Sequence, residues 1–383
     1  MLKNKLLSLL HVQLRWSVLA LLFLCFVFLS CEKEIIWKPG MPLSMEMIKI
    51  AVIHLNDINR NSFYDNAHYE GTLEMQRKLG LEDSQIIRKV NVFDGDLAVV
   101  EGVMRDCITE GANIIIATTF GYMDVCEKLA VEFPSVIFLH TYGYKFNNHN
   151  FANNLPRLYQ ARYLSGIAAG LNTETGKIGY VAALGKDSSE VSAGINAFAI
   201  GVEEVNPEAR IFVRITHSWY DPMGESDAVN ALIAEGCDII TAHSDTAQAQ
   251  IAAQRAGIRS IGFNTDMSSI IPDMVITSVI VNWDLIYTGL VESIIEGTFR
   301  PALRFYSLTE RIVDITAINT QLVIPETEDA VETARSRIRD GFNIFDGILE
   351  TNDGRIVGEA GKTLSDEIIL RSIDWYYRNV TEL

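Results

Sequence analysis

The chain is short of cysteine and of positive charge. It has five cysteines among 383 residues, and 32 basic residues stand against 49 acidic ones, which gives a formal net charge of −17. Proteins that bind nucleic acid need clustered Lys and Arg to meet the phosphates, so this balance argues against a nucleic-acid partner. The spacings Cys-x-x-Cys and His-Glu-x-x-His, which are typical of metal sites, do not occur. The sequence therefore predicts neither a bound metal nor a cofactor.

Long apolar runs are also rare, and the most prominent one lies near the start of the chain. Lys3 and Arg15 precede the apolar stretch Val18–Leu29, which is followed by Ser30 and Cys31. This stretch is shorter than the roughly 20 residues that span a bilayer, and its arrangement before a cysteine is typical of a bacterial lipoprotein signal. We expect cleavage before Cys31, lipid on Cys31, and a protein attached to the cell membrane that faces the periplasm or the outside. An uncleaved signal or a transmembrane anchor is the alternative.

Three cysteines remain if Cys25 leaves with the signal and Cys31 carries lipid. An odd number is not the disulfide framework that is typical of exported domains. Cys107 lies in a helical pattern and Cys237 directly precedes a predicted strand. We therefore expect Cys107, Cys126 and Cys237 to be buried thiols.

After residue 46, predicted strands and helices alternate. The strands are short apolar runs, which belong to parallel sheets that helices cover on both faces. Two such series meet near residues 140–160, and single cores stop growing near ~250–300 residues, so the sequence predicts an α/β fold of two doubly wound parallel-sheet lobes joined by a hinge. We expect a signal at residues 1–30, a tether at 31–46, an N-terminal lobe at 47–155 and a C-terminal lobe at 156–283. The last region, 284–383, is expected to hold the hinge-crossing helix and segments shared between the lobes.

The predicted elements also indicate where a ligand binds. In open parallel sheets, ligands lie outside the carboxyl ends of the strands, so the cleft between the lobes is the expected site. The predicted strands are 48–55, 86–92, 113–117, 136–139, 177–183, 211–216, 238–242, 260–263 and 275–281. The predicted helices are 66–79, 97–110, 122–132, 159–171, 192–205, 225–235, 246–256 and 285–296.

Several stretches in order resemble one family over nearly the whole chain after the signal. The segment after the first strand reads Asn-Arg-Asn-Ser-Phe-Tyr-Asp-Asn-Ala-His-Tyr-Glu-Gly, and others read Gly-Ile-Asn-Ala-Phe and Ser-Trp-Tyr-Asp-Pro. The sequence thereby resembles the basic membrane protein (BMP) family of ABC-transporter substrate-binding lipoproteins. The resemblance implies a type I periplasmic-binding fold, a purine base or nucleoside as ligand, and an ABC permease in the membrane as partner. The matching stretches are 59–71, 159–170, 194–198, 218–222, 262–267, 281–283, 340–347 and 374–376.

Aromatic residues at the expected cleft suit a purine, which is flat and stacks on rings. By resemblance, Phe63 is one face of an aromatic clamp, and the alternative is that it packs the following helix onto the core. Phe120 follows the Ile-rich third strand. Trp219 lies beyond a strand of the second lobe, where it either faces Phe63 or fills the lobe surface. Trp283 ends a strand where the chain is expected to cross between lobes, so we expect it to contact the ligand.

Polar residues at strand ends are candidates for the purine edge, because an unmet buried polar group costs about 1–3 kcal/mol. By resemblance, Asp266 is the ligand-contacting acid, although the same position suits a turn that caps the next helix. Asn196 matches the family's Ile-Asn-Ala-Phe element, but it also suits a packing role. Asp245, Asn56 and Asp57 follow strands and are either ligand contacts or helix caps.

One departure from the family bears on the ligand. Many nucleoside-binding members carry a lysine three positions after the serine of a Thr-Ser strand end. Here Thr277-Ser278 is followed at that spacing by Val281, with Asn282 and Trp283 next. The missing lysine favours a bare purine base over a nucleoside.

Three functions compete. Capture of a solute for an ABC importer needs no nucleophile with an adjacent base, and the sequence shows none. A ligand-sensing receptor would use the same fold. An extracellular nucleoside-processing enzyme would use Asp57, Asp65 or Asp266 as acid or base, but the closely spaced aspartates of calcium-dependent nucleoside hydrolases are missing. We therefore expect a binding protein and no enzyme.

Overall fold

A computed structural model describes Lys38, residues 40–58 and residues 62–383. The predicted signal and the lipidation site Cys31 lie outside the described residues. Within the described part, none of the helices combines the length and the apolar character that crossing a membrane requires.

Fifteen strands and ten α-helices make up the described part of the chain. The strands are β1 (Ile50–Ile53), β2 (Ile86–Lys89), β3 (Ile114–Ala117), β4 (Ile137–Thr141), β5 (Phe151–Pro156), β6 (Lys177–Ala182), β7 (Arg210–Ile215), β8 (Ile239–His243), β9 (Arg259–Asn264), β10 (Val275–Val281), β11 (Leu303–Tyr306), β12 (Val313–Ile315), β13 (Asp346–Glu350), β14 (Ile356–Thr363) and β15 (Val380–Glu382). The helices are α1 (Phe63–Leu79), α2 (Leu97–Thr109), α3 (Met123–Glu132), α4 (Leu158–Asn172), α5 (Ser189–Val205), α6 (Pro222–Ala234), α7 (Gln248–Arg255), α8 (Trp283–Ile295), α9 (Thr327–Arg339) and α10 (Asp366–Arg371).

Two large sheets carry the fold, and we call the parts built on them the N-lobe and the C-lobe. The N-lobe sheet has the order β11-β5-β4-β3-β1-β2, and the C-lobe sheet has the order β12-β10-β9-β8-β6-β7-β15. Every pairing within them is parallel except that of β10 with β12. The central strands are apolar and buried on both faces; Ile114–Ala117 is wholly buried, as expected for a sheet that helices cover on both sides. The predicted α/β class with parallel sheets is confirmed.

Three segments cross between the two sheets. The chain leaves the N-lobe after β5 at Arg157, returns after β10 at Asn282, and leaves again between β11 and β12 at residues 307–312. These crossings are the hinge of the fold, and the strand ends of both lobes lie next to them.

Close packing of α4 on α5 explains two of the stretches that resemble the family. A β-carbon on Gly166 would lie 2.2 Å from the Phe198 carbonyl oxygen, and one on Gly201 would lie 2.3 Å from that of Tyr163. Only glycine allows the two helix backbones to approach this closely. These glycines therefore serve the C-lobe core rather than the ligand.

The predicted buried thiols are confirmed. Cys107, Cys126 and Cys237 are buried and free, and burial raises the pKa of the Cys107 thiol to about 11 and that of Cys237 to about 12. A thiol with so high a pKa is protonated and unreactive at neutral pH.

The C-terminal extension, residues 346–383, returns to the C-lobe. It begins with the antiparallel hairpin of β13 and β14, continues through α10, and ends in β15, which pairs in parallel with β7. The sequence had suggested only that segments after residue 284 are shared between the lobes. These short elements were not predicted individually.

Candidate functional site

A cavity of about 400 Å³ lies where the carboxyl ends of the two sheets meet. From the N-lobe, its lining comes from the loops after β1, β2, β3 and β4, and from the first turn of α1. From the C-lobe, it comes from the start of α5, the loop after β7, and the ends of β8 and β9. The lining residues are Leu55, Asn56, Tyr64, Phe93, Asp94, Thr119, Phe120, Tyr142, Glu190, Ser218, Trp219, Tyr220, His243, Asp245 and Phe263.

The N-lobe wall presents aromatic rings. Phe93 is 66% exposed and Phe120 is 54% exposed, although large apolar side chains are usually buried. Tyr64 donates its hydroxyl hydrogen to the Thr118 carbonyl, and its ring lies 5.9 Å from that of Tyr142. Exposed rings in a concave site are typical of a ligand-binding surface.

The C-lobe wall combines rings with buried polar groups. The His243 ring lies 4.7 Å from that of Phe263 and 5.7 Å from that of Trp219, both edge to face. Burial, and then the charge of Arg162, lowers the pKa of His243 to about 4. The imidazole is therefore neutral at neutral pH.

Arg162 fixes this wall from beneath. It is wholly buried, it donates to the Ala242 carbonyl at 2.9 Å and to the Thr241 hydroxyl at 3.3 Å, and its guanidinium lies 4.3 Å from the centre of the Phe263 ring. A cation over a ring face is attracted by the ring electrons. Arg162 thus holds the Phe263 ring and the end of β8 in place.

Asp245 is the most perturbed acid of the cavity. Its side chain is 5% exposed, and burial first, then the nearby carboxyls of Asp65, Glu225 and Glu190, hold its pKa well above the usual range, although Asn264 opposes the shift. A protonated carboxyl has one donor and one acceptor. A protonated Asp245 would therefore match adjacent donor and acceptor atoms on the edge of a planar heterocycle.

Backbone strain marks the same strand ends. Tyr142 directly follows β4, His217 lies two residues after β7, and Asn264 ends β9. Each has a positive φ, at 63°, 56° and 69°. Residues other than glycine rarely adopt this conformation, and such strain clusters at functional sites. The backbone is therefore bent at the cavity to aim its lining side chains.

The structure brings together four of the predicted site residues. Asn56, Phe120, Trp219 and Asp245 all line the cavity. Asn56 also donates to the Asp65 carboxylate at 2.9 Å. Asp57 is half-buried beside it and is not part of the lining.

Phe63 and Trp283 were expected at the cleft, and neither lines this cavity. Phe63 is the first residue of α1, three positions before the predicted start, and packs against a C-lobe cluster that includes Met267 and Ile271. Trp283 is 3% exposed and its ring lies 4.1 Å from that of His68. Apolar contacts hold both side chains away from the cavity lining.

Asn196 and Asp266 also differ from expectation. The buried Asn196 amide donates to the Trp375 carbonyl at 2.9 Å and accepts from the Tyr377 N–H at 2.8 Å, so it holds the C-terminal extension. Asp266 is exposed and accepts from the Ser268 N–H at 3.0 Å, which is the capping role that the turn allowed. Neither lines the cavity.

Sequence reasoning missed several lining residues. Tyr142 and His243 lie outside the stretches that resemble the family, and Tyr64 and Phe263 lie inside two of them without having been singled out. Each of the four lies at or next to the carboxyl end of a strand or in the first turn of α1. The rule that identified Phe120 and Trp219 would have found Tyr142 and Phe263. No group of three or more potential metal ligands occurs among the described residues.

The two lobes, the hinge and the strand-end cavity have the architecture of the type I periplasmic-binding fold. Solved structures share this architecture. A transcriptional activator of the comK gene from Bacillus halodurans superposes with a TM-score of 0.67 at 19% identity, over 76% of this chain and 98% of that one. An ABC transporter solute-binding protein from Conexibacter woesei superposes with a TM-score of 0.65 at 22% identity, over 77% and 97%.

Residues 47–344 match the family of PnrA-like ABC transporter substrate-binding proteins, Bmp, and the chain belongs to this family. A purine-binding protein of Brucella abortus is 32% identical over 76% of this chain and 81% of its own length. A putative ABC transporter glucose-binding protein of Haloferax volcanii is 40% identical over 68% of this chain, which covers 64% of that protein. The resemblance to the BMP family is confirmed. The last of the stretches that resemble the family, residues 374–376, lies beyond the matched range.

Proposed function

We propose that this protein captures a purine base or nucleoside in the strand-end cavity and delivers it to an ABC permease. The observation that carries the proposal is the combination of exposed rings on one wall with the buried acid Asp245 on the other. Stacking on rings satisfies the faces of a purine, and a carboxyl satisfies its edge, where adenine has an acceptor at N7 beside a donor at N6. The purine-binding relative from Brucella abortus supports the same ligand class.

Isothermal titration calorimetry of the full chain in detergent tests the ligand. Adenine, hypoxanthine, guanine and their nucleosides are titrated, with glucose as the competing candidate because of the relative from Haloferax volcanii. A cavity of about 400 Å³ lies within the range of ligand sites, roughly 300–1,000 Å³. We expect purine binding well below millimolar, because ring stacking is worth ~1–3 kcal/mol per ring and the carboxyl adds hydrogen bonds to the purine edge. Binding of glucose with no purine binding would reject the proposal.

The matched variants are Trp219→Ala and Trp283→Ala. Trp219 lines the cavity, whereas Trp283 is packed beneath it. Aromatic side chains that stack on single-stranded bases contribute ~1–3 kcal/mol per base. On this scale, Trp219→Ala should weaken purine binding by about five- to 150-fold. Trp283→Ala should mainly lower the free energy of unfolding, and equal weakening by both would contradict the placement of the site.

We also propose that Cys31 is lipidated and attaches the protein to the cell membrane. The proposal rests on the apolar stretch before Cys31. Mass spectrometry of membrane-extracted protein should find no peptide from residues 1–30, and Cys31→Ala should release the protein from the membrane fraction. An intact N-terminus, or membrane retention of the Cys31→Ala variant, would reject this anchor.

A further inference from the structure

A second cavity adjoins the strand-end cavity on the hinge side. Its volume is about 510 Å³. Phe120, Tyr142, Glu190 and Trp219 line both cavities, so the two form neighbouring chambers of one cleft. We call the strand-end cavity the first chamber and its neighbour the second chamber.

Helix α10 forms the far wall of the second chamber. Ile369 lines it and is only 5% exposed. The Arg371 guanidinium lies 4.2 Å from the centre of the Tyr144 ring, and that ring lies 6.3 Å from the Phe120 ring. A continuous run of side chains therefore leads from α10 to the first chamber.

The start of α10 is fixed to the hinge. The Ser365 hydroxyl caps the helix by accepting from the Ile368 N–H at 3.3 Å. Asp366 accepts from the Arg157 guanidinium at 2.9 Å, and Arg157 also donates to the Phe305 carbonyl at 3.0 Å. Arg157 lies at the first crossing between the lobes, so a hinge residue holds the start of α10 in its place at the chamber.

The chain after α10 is fixed to the C-lobe. Asn196 bonds to the backbone of Trp375 and Tyr377, and the Asn379 amide donates to the Ala199 carbonyl at 3.0 Å. Because both ends of α10 are held, the helix keeps a fixed position in the wall of the second chamber.

The second chamber has a mainly apolar lining. Leu155, Leu158, Ala193 and Ile369 contribute to it. Ser188 and Ser189, at the start of α5, add hydroxyl groups at one side. Arg157, Asp187, Glu190 and Arg371 add charged groups to this lining. Such a space suits a bulky group that has apolar surface and a few polar atoms, attached to the planar part of a ligand in the first chamber.

We propose that the second chamber receives a substituent of the ligand, and that Ile369 and Arg371 of α10 determine how bulky this substituent can be. The inference rests on the proposed purine site, because it places the planar part of the ligand in the first chamber. It assigns a specificity role to the C-terminal extension, which follows the family-matched residues 47–344.

The test compares Ile369→Trp with Ile368→Trp in the full chain. The two isoleucines are adjacent on α10, but Ile368 is 39% exposed and does not line the chamber. Affinities are measured for adenine and for two derivatives with bulk at opposite ends, adenosine and N6-benzyladenine. In Ile369→Trp at least one derivative should bind about tenfold more weakly, because added bulk does not fit a filled space, while adenine binding stays within about twofold. Ile368→Trp should change neither.

Thermal unfolding verifies that both variants fold. If Ile369→Trp does not fold, Arg371→Ala decides, with Arg355→Ala in the β13–β14 hairpin as control. Removal of the Arg371 side chain should change the ratio of derivative affinity to adenine affinity by about threefold or more, on the scale of a few side-chain contacts. Arg355→Ala should leave this ratio unchanged.

The outcomes separate this inference from the proposed function. Purine binding with unchanged ratios in the α10 variants overturns the inference alone. If only sugars bind, the purine proposal fails, and the affinities for glucose and maltose decide the inference. A selective loss of maltose affinity in Ile369→Trp supports the inference, and unchanged affinity for both sugars overturns it. Absence of binding by every purine and sugar rejects both.

Discussion

The two walls of the cleft differ in how they meet solvent. On the N-lobe wall, Phe93 and Phe120 are more than half exposed. On the C-lobe wall, His243 and Asp245 are buried, and Arg162 is buried beneath them. The N-lobe wall offers exposed ring faces, whereas the C-lobe wall adds buried polar atoms in fixed positions to the rings of Trp219 and Phe263.

This difference separates affinity from selectivity. Ring stacking is tolerant because every planar heterocycle has a π-face. A buried polar group is selective because a ligand that leaves it unpaired loses the full desolvation cost of that group. We therefore expect the rings of both walls to contribute affinity for any planar ligand, and the buried polar groups of the C-lobe wall to determine which planar ligands bind.

The largest expected effect is that of Asp245→Ala. It removes the edge partner and leaves ligand donors unpaired, which costs about 1–3 kcal/mol, or about five- to 150-fold in affinity. Asp266→Ala is the matched control, because Asp266 is an exposed cap outside the cavity lining. Calorimetry with adenine compares the two, and a greater loss in Asp266→Ala would return the ligand-contacting acid to the position that the family resemblance suggested.

The next effect is that of Phe120→Ala against Phe63→Ala. Loss of an exposed cavity ring should weaken purine binding by about tenfold, within the ~1–3 kcal/mol of base stacking. It should hardly change the unfolding temperature, because the Phe120 ring is 54% exposed. Phe63→Ala should do the reverse and lower the unfolding temperature, since that ring packs against a buried cluster. Titrations should rank Phe120→Ala as the variant with the greater loss of affinity, and melting curves should rank Phe63→Ala as the variant with the greater loss of unfolding temperature. If one variant shows the greater loss in both experiments, the distinction between a wall residue and a core residue is wrong.

The smallest effect is a pH dependence that comes from Asp245. Burial raises its pKa, and a purine that accepts from the protonated carboxyl raises it further. Affinity should therefore be full at low pH and fall by a few-fold as pH rises through the raised pKa, with proton uptake on binding. Asp245→Asn keeps one acceptor and a donor, so it should bind purine and lose the pH dependence. Calorimetry in buffers of different ionisation enthalpy measures the proton uptake. Proton release on binding would mean that the purine donates to an ionised Asp245 instead of accepting from a protonated one.

The fold was accessible to sequence reasoning because the central strands are short apolar runs. Strands such as Ile114–Ala117 are buried on both faces, and the residues after them were expected at the cleft by topology alone. Phe120, Trp219 and Asp245 were found in this way. The C-terminal extension was not, because β15 has only three residues, and β14 alternates little and is largely exposed.

Phe63 and Tyr64 show how a small error in a helix boundary misplaces a site residue. The sequence suggested a start at Asn66, whereas Ser62 caps a helix that begins at Phe63. Successive residues of a helix point about 100° apart, so Tyr64 faces the cavity while its neighbour Phe63 packs against the C-lobe. A motif identifies the pair, but only the helix phase decides between them.

Asp245 and Asp266 show a second limit. Both acids follow strands of the C-lobe, and both occupy positions that suit a cap. Burial distinguishes them, since Asp245 is 5% exposed and Asp266 is at the surface. Burial depends on how loops from different strands pack, which local sequence patterns do not contain.

The position of β15 has a consequence for handling the protein. It covers β7, which would otherwise be the outermost strand of the C-lobe sheet. A chain shortened to residue 344 would leave unpaired the backbone groups of Ile211–Val213 that now face β15, and such edges recruit strands from other molecules. The last strand thus protects the sheet from self-association, and truncation at the family boundary should yield aggregates.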